Sequence, residues 1–203
     1  MKLFDGGLAP NPRRVRIFLA EKGIDVPLVP VDMAAFEHRG DGVTARNPLQ
    51  RLPVLEFDDG SVLTESVAIC RYFEERHPEP PLFGTGALGR ARVEEWNRRL
   101  ELNLLASVAA AFRHLHPAMR EWEVPQIASW GEANKPKAEA FLRILDARLS
   151  ENRFVAGEAF SIADITGLVA IDFMKPARIA LPEGLVHVRR WHAEMSARPS
   201  ARA

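Results

Sequence analysis

Three short stretches of this chain carry residue types that could hold a small peptide-like ligand and its thiol. Glu65 and Ser66 stand together where a short apolar run turns into a helix. A carboxylate beside a hydroxyl and the free amides of a first helical turn can take an α-ammonium and an α-carboxylate from one molecule. The plainer alternative is a favourable first-turn charge followed by an exposed helix residue. Leu52–Pro53 precedes a strand. Proline cannot donate to a ladder, so the chain must bend or turn cis there, leaving the Leu52 N–H and C=O to pair with an extended ligand. An ordinary proline at the head of a strand is the alternative. The segment Ala9-Pro10-Asn11-Pro12-Arg13-Arg14 offers helix-end amides, a helix dipole and two cations, which suit an anion such as a thiolate. A free thiol is only a few per cent ionised near pH 7, and lowering its pKa by about two units takes roughly 2.7 kcal/mol. The Asn11 amide and the helix-end amides could supply most of that. Asn11 as a simple N-cap is the alternative.

These residues need a frame, and the hydrophobic spacing supplies one. Lys2 to Phe4 reads as a strand. A helix follows, with Asn11 as N-cap, Pro12 first, Val15, Phe18 and Leu19 on one face, and Lys22-Gly23 at the close. Val26 to Val31 alternates around Pro27 and Pro30, an edge-like strand. Residues 33–46 suggest one short helix and a loop. Val54 to Phe57 and Ser61 to Leu63 flank Asp58-Asp59-Gly60 as a hairpin, and a helix runs from Glu65 to Arg76. The order is β-α-β-α-β-β-α, closing by residue 77.

His77-Pro78-Glu79-Pro80-Pro81 opens a linker over residues 78–87. Residues 88–203 then read as an all-helical bundle. A long helix is expected from Leu88 to about His114, and Pro125 could open the next one. Lys137 to Leu149 is helical with Phe141, Leu142, Leu145 and Leu149 on one face. Ser161 and Asp164 have the spacing of a reciprocal capping box, with Phe160 and Ile165 placed as a staple. The apolar stretch from Thr166 to Phe173 belongs in a core, and Leu185 to Ala197 reads as a last helix.

With 27 Lys plus Arg against 27 Asp plus Glu, the chain lacks the positive excess that binding to nucleic acid or an anionic membrane needs. One cysteine, Cys70, allows no internal disulfide and no CxxC pair, and its mid-helix place beside Ile69 and Phe73 suggests an inert thiol. His114 and His116 are two apart on a helix and make no metal pair. No metal is expected. The start carries too short an apolar run for a signal peptide, and no segment approaches about 18 apolar residues. A soluble protein of a reducing compartment, the cytoplasm, is the expectation.

Taken as a set, NPRRVRIFLAEKG (11–23), NPLQRLPVLEFDDG (47–60), LTESVAICRYF (63–73) and FSIADITG (160–167) resemble the glutathione S-transferase family over essentially the whole chain. The resemblance implies a thioredoxin-like domain over residues 1–77 and an all-helical domain over 88–203, in a homodimer. It implies glutathione as cosubstrate, with no cofactor, and a small hydrophobic electrophile or disulfide as second substrate. Glu65 and Ser66 would hold the γ-glutamyl end, Leu52 and a cis Pro53 the cysteinyl unit, and His38 the glycyl carboxylate. Asp164 falls on the family's buried folding residue. Phe4 lacks the hydroxyl many members place at the thiol, and Ala9 stands where some related members have threonine, so Asn11 is the catalytic candidate. Gln50 replaces a glycine often seen in the Asn-Pro-x-Gly stretch. An electrophile pocket is expected between the Asn11 region, with Ala9, and the long helix near Leu105, Ala109, Phe112 and Arg113, with Trp130 as a further wall. A glutathione-dependent disulfide reductase, dehalogenase or isomerase, or a non-catalytic glutathione-binding or protein-interaction module, would share the same features.

Overall fold

In the computed structural model, which describes residues 1–203, the alternating runs near the start form one four-stranded sheet. Its strands are β1 (Lys2–Asp5), β2 (Leu28–Pro30), β3 (Val54–Glu56) and β4 (Val62–Thr64), in the order β2-β1-β3-β4. β1 is parallel to β2 and antiparallel to β3, and β3 and β4 are the expected hairpin. Helices α1 (Pro10–Lys22), α2 (Asp41–Thr44) and α3 (Ser66–Arg76) complete the predicted β-α-β-α-β-β-α order. Successive strand residues face opposite ways, so β1 feeds two cores. Leu3 is fully buried, while Phe4 joins Val31, Val43, Leu52 and Val54 in a separate apolar cluster.

The start of α1 differs from the expectation. Ala9 is the N-cap and Pro10 the first helical residue, so Asn11 lies inside the first turn and makes no capping bond. The Arg13 amide bonds to the Ala9 carbonyl at 3.1 Å, which sets this frame. Either proline is tolerated in a first turn because its missing N–H would have had no partner there. Two candidate prolines two residues apart leave the frame ambiguous from spacing alone.

The chain divides into two compact units. The first is Met1–Leu82 together with Pro199–Ala203, and the second is Phe83–Arg198. Within the first, the short 3-10 turn Pro199–Arg202 is tied to α1. Arg13 Nη2 donates to the Ala201 carbonyl at 3.0 Å, and Ser200 Oγ donates to the Glu21 carboxylate.

The second unit is all helical. α4 (Gly86–Arg99) passes through a π-helical segment, Leu100–Leu105, into α5 (Ala106–Leu115). α6 (Ala128–Glu151), α7 (Ile162–Met174) and α8 (Val186–Ser196) follow. Pro125 does not open α6, which begins at Ala128 instead. The residues before it are held to α5: Gln126 Nε2 donates to the Arg113 and His116 carbonyls, and the Ile127 amide donates to His114 Nδ1 at 3.0 Å. The capping box at α7 is present as read. Asp164 accepts from the Ser161 amide, the Val155 amide and the Trp191 indole, each at 2.9 Å. A Cβ at Gly167 would lie 2.8 Å from Trp191, so glycine is what lets α8 seat its tryptophan there. No helix is long and apolar enough to cross a membrane.

Candidate functional site

The sheet register assembles the site. Phe4 pairs with Val54, and Val54 pairs with Thr64. Continued by two residues, the same ladders set Leu52 between Gly6 on one side and Ser66 on the other. A Cβ built on Gly6 would lie 3.2 Å from Leu52 Cδ1, as that register requires. Both α1 and α3 start at this end of the sheet, α1 after the turn that follows β1 and α3 directly after β4. The first turn of α3 leaves several amides without helical partners, whereas in α1 Pro10 and Pro12 carry no N–H and the Arg13 amide is bonded to Ala9, so only the Asn11 amide is left. Each helix start carries the positive end of its dipole. The Leu52–Pro53 peptide is cis, and the ladder begins only at Val54, so the Leu52 main chain lies outside it.

Glu65 stands at the junction of β4 and α3 with φ 68° and ψ 115°, a region that residues with a Cβ rarely occupy. It is held there by β4 on one side and by the first bond of α3 on the other, Ile69 N–H to Glu65 C=O at 2.9 Å. Its carboxylate is exposed and makes no capping bond. Strain of this kind collects where a side chain must be aimed. Ser66, by contrast, is buried, which removes the reading of it as an exposed helix residue. Its Oγ accepts a hydrogen bond from Arg14 Nη1 at 2.8 Å. Arg14, on α1, is 1% exposed.

On the thiol side, Asn11 is exposed on the first turn of α1, with its amide not spent on capping. Phe4 belongs to the apolar cluster and offers nothing polar. Asp5 is turned inward on its own loop, accepting from the Gly7 amide at 2.9 Å and pairing with Arg16. His38 lies in a 3-10 turn, Glu37–Arg39, and is buried. Burial first, then the charges of Arg39 and Arg51, hold its imidazole below the ordinary histidine value. Its ring is therefore neutral in the folded chain near pH 7, a hydrogen-bond donor and not a cation. Cys70 is buried on α3, and burial raises its thiol far above the usual range; Arg14 draws it down and Glu74 adds to the rise. No cluster of three His, Cys, Asp or Glu side chains is placed to hold a metal.

In the second unit, Ala109, Phe112 and Arg113 are half-buried along α5. The Phe112 ring lies 4.9 Å from Phe173 of α7 and 4.8 Å from His116. Trp130 stands apart from them. It lines a groove of about 500 Å³ with Leu102, Ala106, Ala110, Lys137 and Ile144, and the Lys137 ammonium sits 4.5 Å from its ring. Ala109, Phe112 and Arg113 are not walls of that groove. Two features escaped the sequence. The first is Arg14 behind Ser66, whose signal was its place one turn before the buried pair Ile17 and Phe18. The second is the left-handed backbone at Gln50, φ 55°.

Comparison with known proteins bears on the same features. Residues 9–76 match the family described as "Glutathione S-transferase, N-terminal domain", and residues 124–199 match "Glutathione S-transferase, C-terminal domain". Glutathione S-transferase 2 of Saccharomyces cerevisiae is 35% identical over 205 residues, covering 100% of this chain and 88% of that protein. Among solved structures, Gtt2 from Saccharomyces cerevisiae superposes with a TM-score of 0.95 at 35% identity, covering 100% of this chain and 99% of that one. A glutathione S-transferase domain-containing protein from Marinobacter aquaeolei VT8 superposes with a TM-score of 0.94 at 38% identity, covering 98% and 99%. With both domains matched and the likeness spanning the full chain, this protein belongs to the glutathione S-transferase family.

Proposed function

We propose that the chain binds glutathione along the row from Gly6 through Leu52 to Ser66 and transfers it to a small hydrophobic electrophile. The observation that carries this reading is the register itself, which brings the Leu52 main chain, outside the ladder beside a cis proline, and two helix N-termini to one end of one sheet. The cysteinyl unit pairs with the Leu52 main chain beside Pro53, as an added strand would. Glu65 takes the γ-glutamyl ammonium. The Ser66 hydroxyl and the first amides of α3 take the α-carboxylate. At the glycyl end His38 donates from a neutral ring, and Arg39 and Arg51 supply the positive field. Asn11, through its side-chain amide and its main-chain N–H, holds the thiolate at the positive end of the α1 dipole, and the thiolate then attacks the electrophile. Catalysis is thus thiol activation and positioning, with glutathione as cosubstrate and no further cofactor. Ala109, Phe112 and Arg113 are the candidate contacts for the second substrate. Family membership also carries the expectation of a homodimer, which sedimentation tests, and of a cytoplasmic location, which fractionation tests.

Two measurements test the chemistry. Glutathione should raise the melting temperature, and Glu65→Ala should abolish the rise; the absence of any rise in the wild type would sink the binding claim. A thiolate absorbance titration of bound glutathione should then show a pKa about two units below that of free thiol, and Asn11→Ala should return most of that shift. A bound thiol that titrates like the free one would leave a binding module without this catalysis.

A further inference from the structure

We infer that Arg14 is a positioning residue for the α-carboxylate of the ligand's γ-glutamyl end, acting through Ser66; the inference rests on the reading of Ser66 as the carboxylate's donor. A serine hydroxyl has one hydrogen to give and two lone pairs to receive with. Arg14 Nη1 donates to Ser66 Oγ at 2.8 Å. A guanidinium has no acceptor, so this bond can run in only one direction. It occupies a lone pair and compels the hydroxyl hydrogen to point elsewhere. Ser66 is the first residue of α3, so its hydrogen and the first-turn amides face the same opening as donors. The hydroxyl is thereby set to give to a carboxylate, while the exposed Glu65 carboxylate beside it is set to receive from the ammonium.

The surroundings of Arg14 fit that task better than they fit a merely adhesive one. Taking a guanidinium out of water carries a desolvation cost of several kcal/mol, and apolar residues would join α1 to α3 more cheaply. Arg14 nevertheless lies at 1% exposure on the face of α1 that buries Ile17 and Phe18. It faces a stripe of α3 made of Ser66, Cys70 and Glu74, four residues apart in turn; the pull of its charge on the Cys70 thiol reports that proximity. At the far end of the stripe Glu74 is paired with Lys22 at 2.6 Å. Through its bond to Ser66 Oγ the guanidinium brings its charge to the start of α3, where it adds to the positive end of the helix dipole. It lies three residues past Asn11, so one turn of α1 serves both ends of the ligand.

The test is a binding cycle with two ligands, read by calorimetry. One is glutathione; the other is 4-aminobutyryl-cysteinyl-glycine, which lacks only the α-carboxylate. The proteins are wild type, Ser66→Ala, Arg14→Met, Arg14→Lys and the Ser66→Ala doubles. Loss of one charge-assisted hydrogen bond should weaken glutathione binding about 10- to 100-fold. Ser66→Ala and Arg14→Met should each do so while changing the analogue less than about threefold. Arg14→Met should add nothing in the Ser66→Ala background. Arg14→Lys, whose ammonium can still donate to Oγ, should keep most of the preference for glutathione. Should Arg14→Met fail to fold, Arg14→Lys carries the cycle, because its smaller effect should also vanish without the Ser66 hydroxyl. Equal weakening of both ligands, or additive losses in the double variant, would overturn the inference and leave Arg14 a structural tie, with the Ser66 site intact. No loss of preference in Ser66→Ala would overturn both the inference and the carboxylate reading beneath it.

Discussion

Gln50 holds a backbone angle, φ 55°, that costs a residue with a Cβ roughly 1–2 kcal/mol. The loop around it is fixed by Asn47, whose side chain bonds the Arg51 carbonyl at 2.8 Å and the Leu49 amide at 3.1 Å. The Gln50 main-chain amide bonds the Asn47 carbonyl at 2.9 Å, which any residue could do, and its side-chain Nε2 contributes only a long contact to Thr44 Oγ1, 3.4 Å. Gln50→Gly should therefore raise stability by about 0.5–1 kcal/mol, after allowing for the freedom glycine adds to the unfolded chain. Thermal unfolding checks this: a rise of about 1–4 °C is expected, and a glycine variant melting below the wild type would refute the strain. The helix start at Glu65-Ser66 was legible in the sequence, because hairpin spacing and a helix start are local patterns, but its backbone strain was not; position 50 stood out only through the family resemblance, and its left-handed backbone did not show. Arg14 was legible only as a cation near a helix end. Its burial depends on α3, which lies more than fifty residues further along the chain, and local pattern does not report such a partner.

Between elements, two histidines act as acceptors for main-chain amides. His114 Nδ1 receives the Ile127 N–H at 3.0 Å, and His116 Nδ1 receives the Ala118 N–H at 3.2 Å. An imidazole nitrogen can accept only while it carries no hydrogen, so both bonds require neutral rings. Removing the acceptor should free each amide: His114→Phe should lower hydrogen-exchange protection at Ile127, and His116→Phe should lower it at Ala118. Asparagine at either position keeps an oxygen acceptor near the site of Nδ1, so His114→Asn and His116→Asn should retain most of the protection. Protection unchanged in the phenylalanine variants would dismiss these bonds as anchors of the segment. This segment also shows where element boundaries stop being readable. The capping box at Ser161 and Asp164 is a contact three residues long and was read correctly. The start of α6 at Ala128 depends on bonds from Gln126 and Ile127 to Arg113 and His114 of α5, so Pro125 looked like a start and is not one.

Across the whole molecule, acid acts on the two units with opposite sign. In the first, His38 is held below its ordinary value of 6.5. As pH falls below 6.5 the unfolded chain takes up a proton that the folded chain refuses, so this group's contribution to stability is lost. In the second, burial lifts the Asp164 carboxyl to about 6 from 3.8, against the pull of the donors around it. There the folded chain takes up the proton first, so the stability this group contributes is fully present below 3.8 and lost as pH rises through about 6. Native-state hydrogen exchange between pH 7 and 5 should show protection falling at Val54 and Leu55 and rising at Ile165 and Trp191; His38→Asn should remove the fall. A common direction in both units would contradict these assignments. The tie between α1 and residues 199–203 bears on a different matter, the order of events during synthesis. Arg13 waits for a partner 188 residues further along the chain. At a ribosome's pace of about 5–20 residues per second, that is roughly 10–40 s. The unit whose first strand emerges earliest is thus among the last to be completed, and until then the helix bearing Asn11 is without that tether.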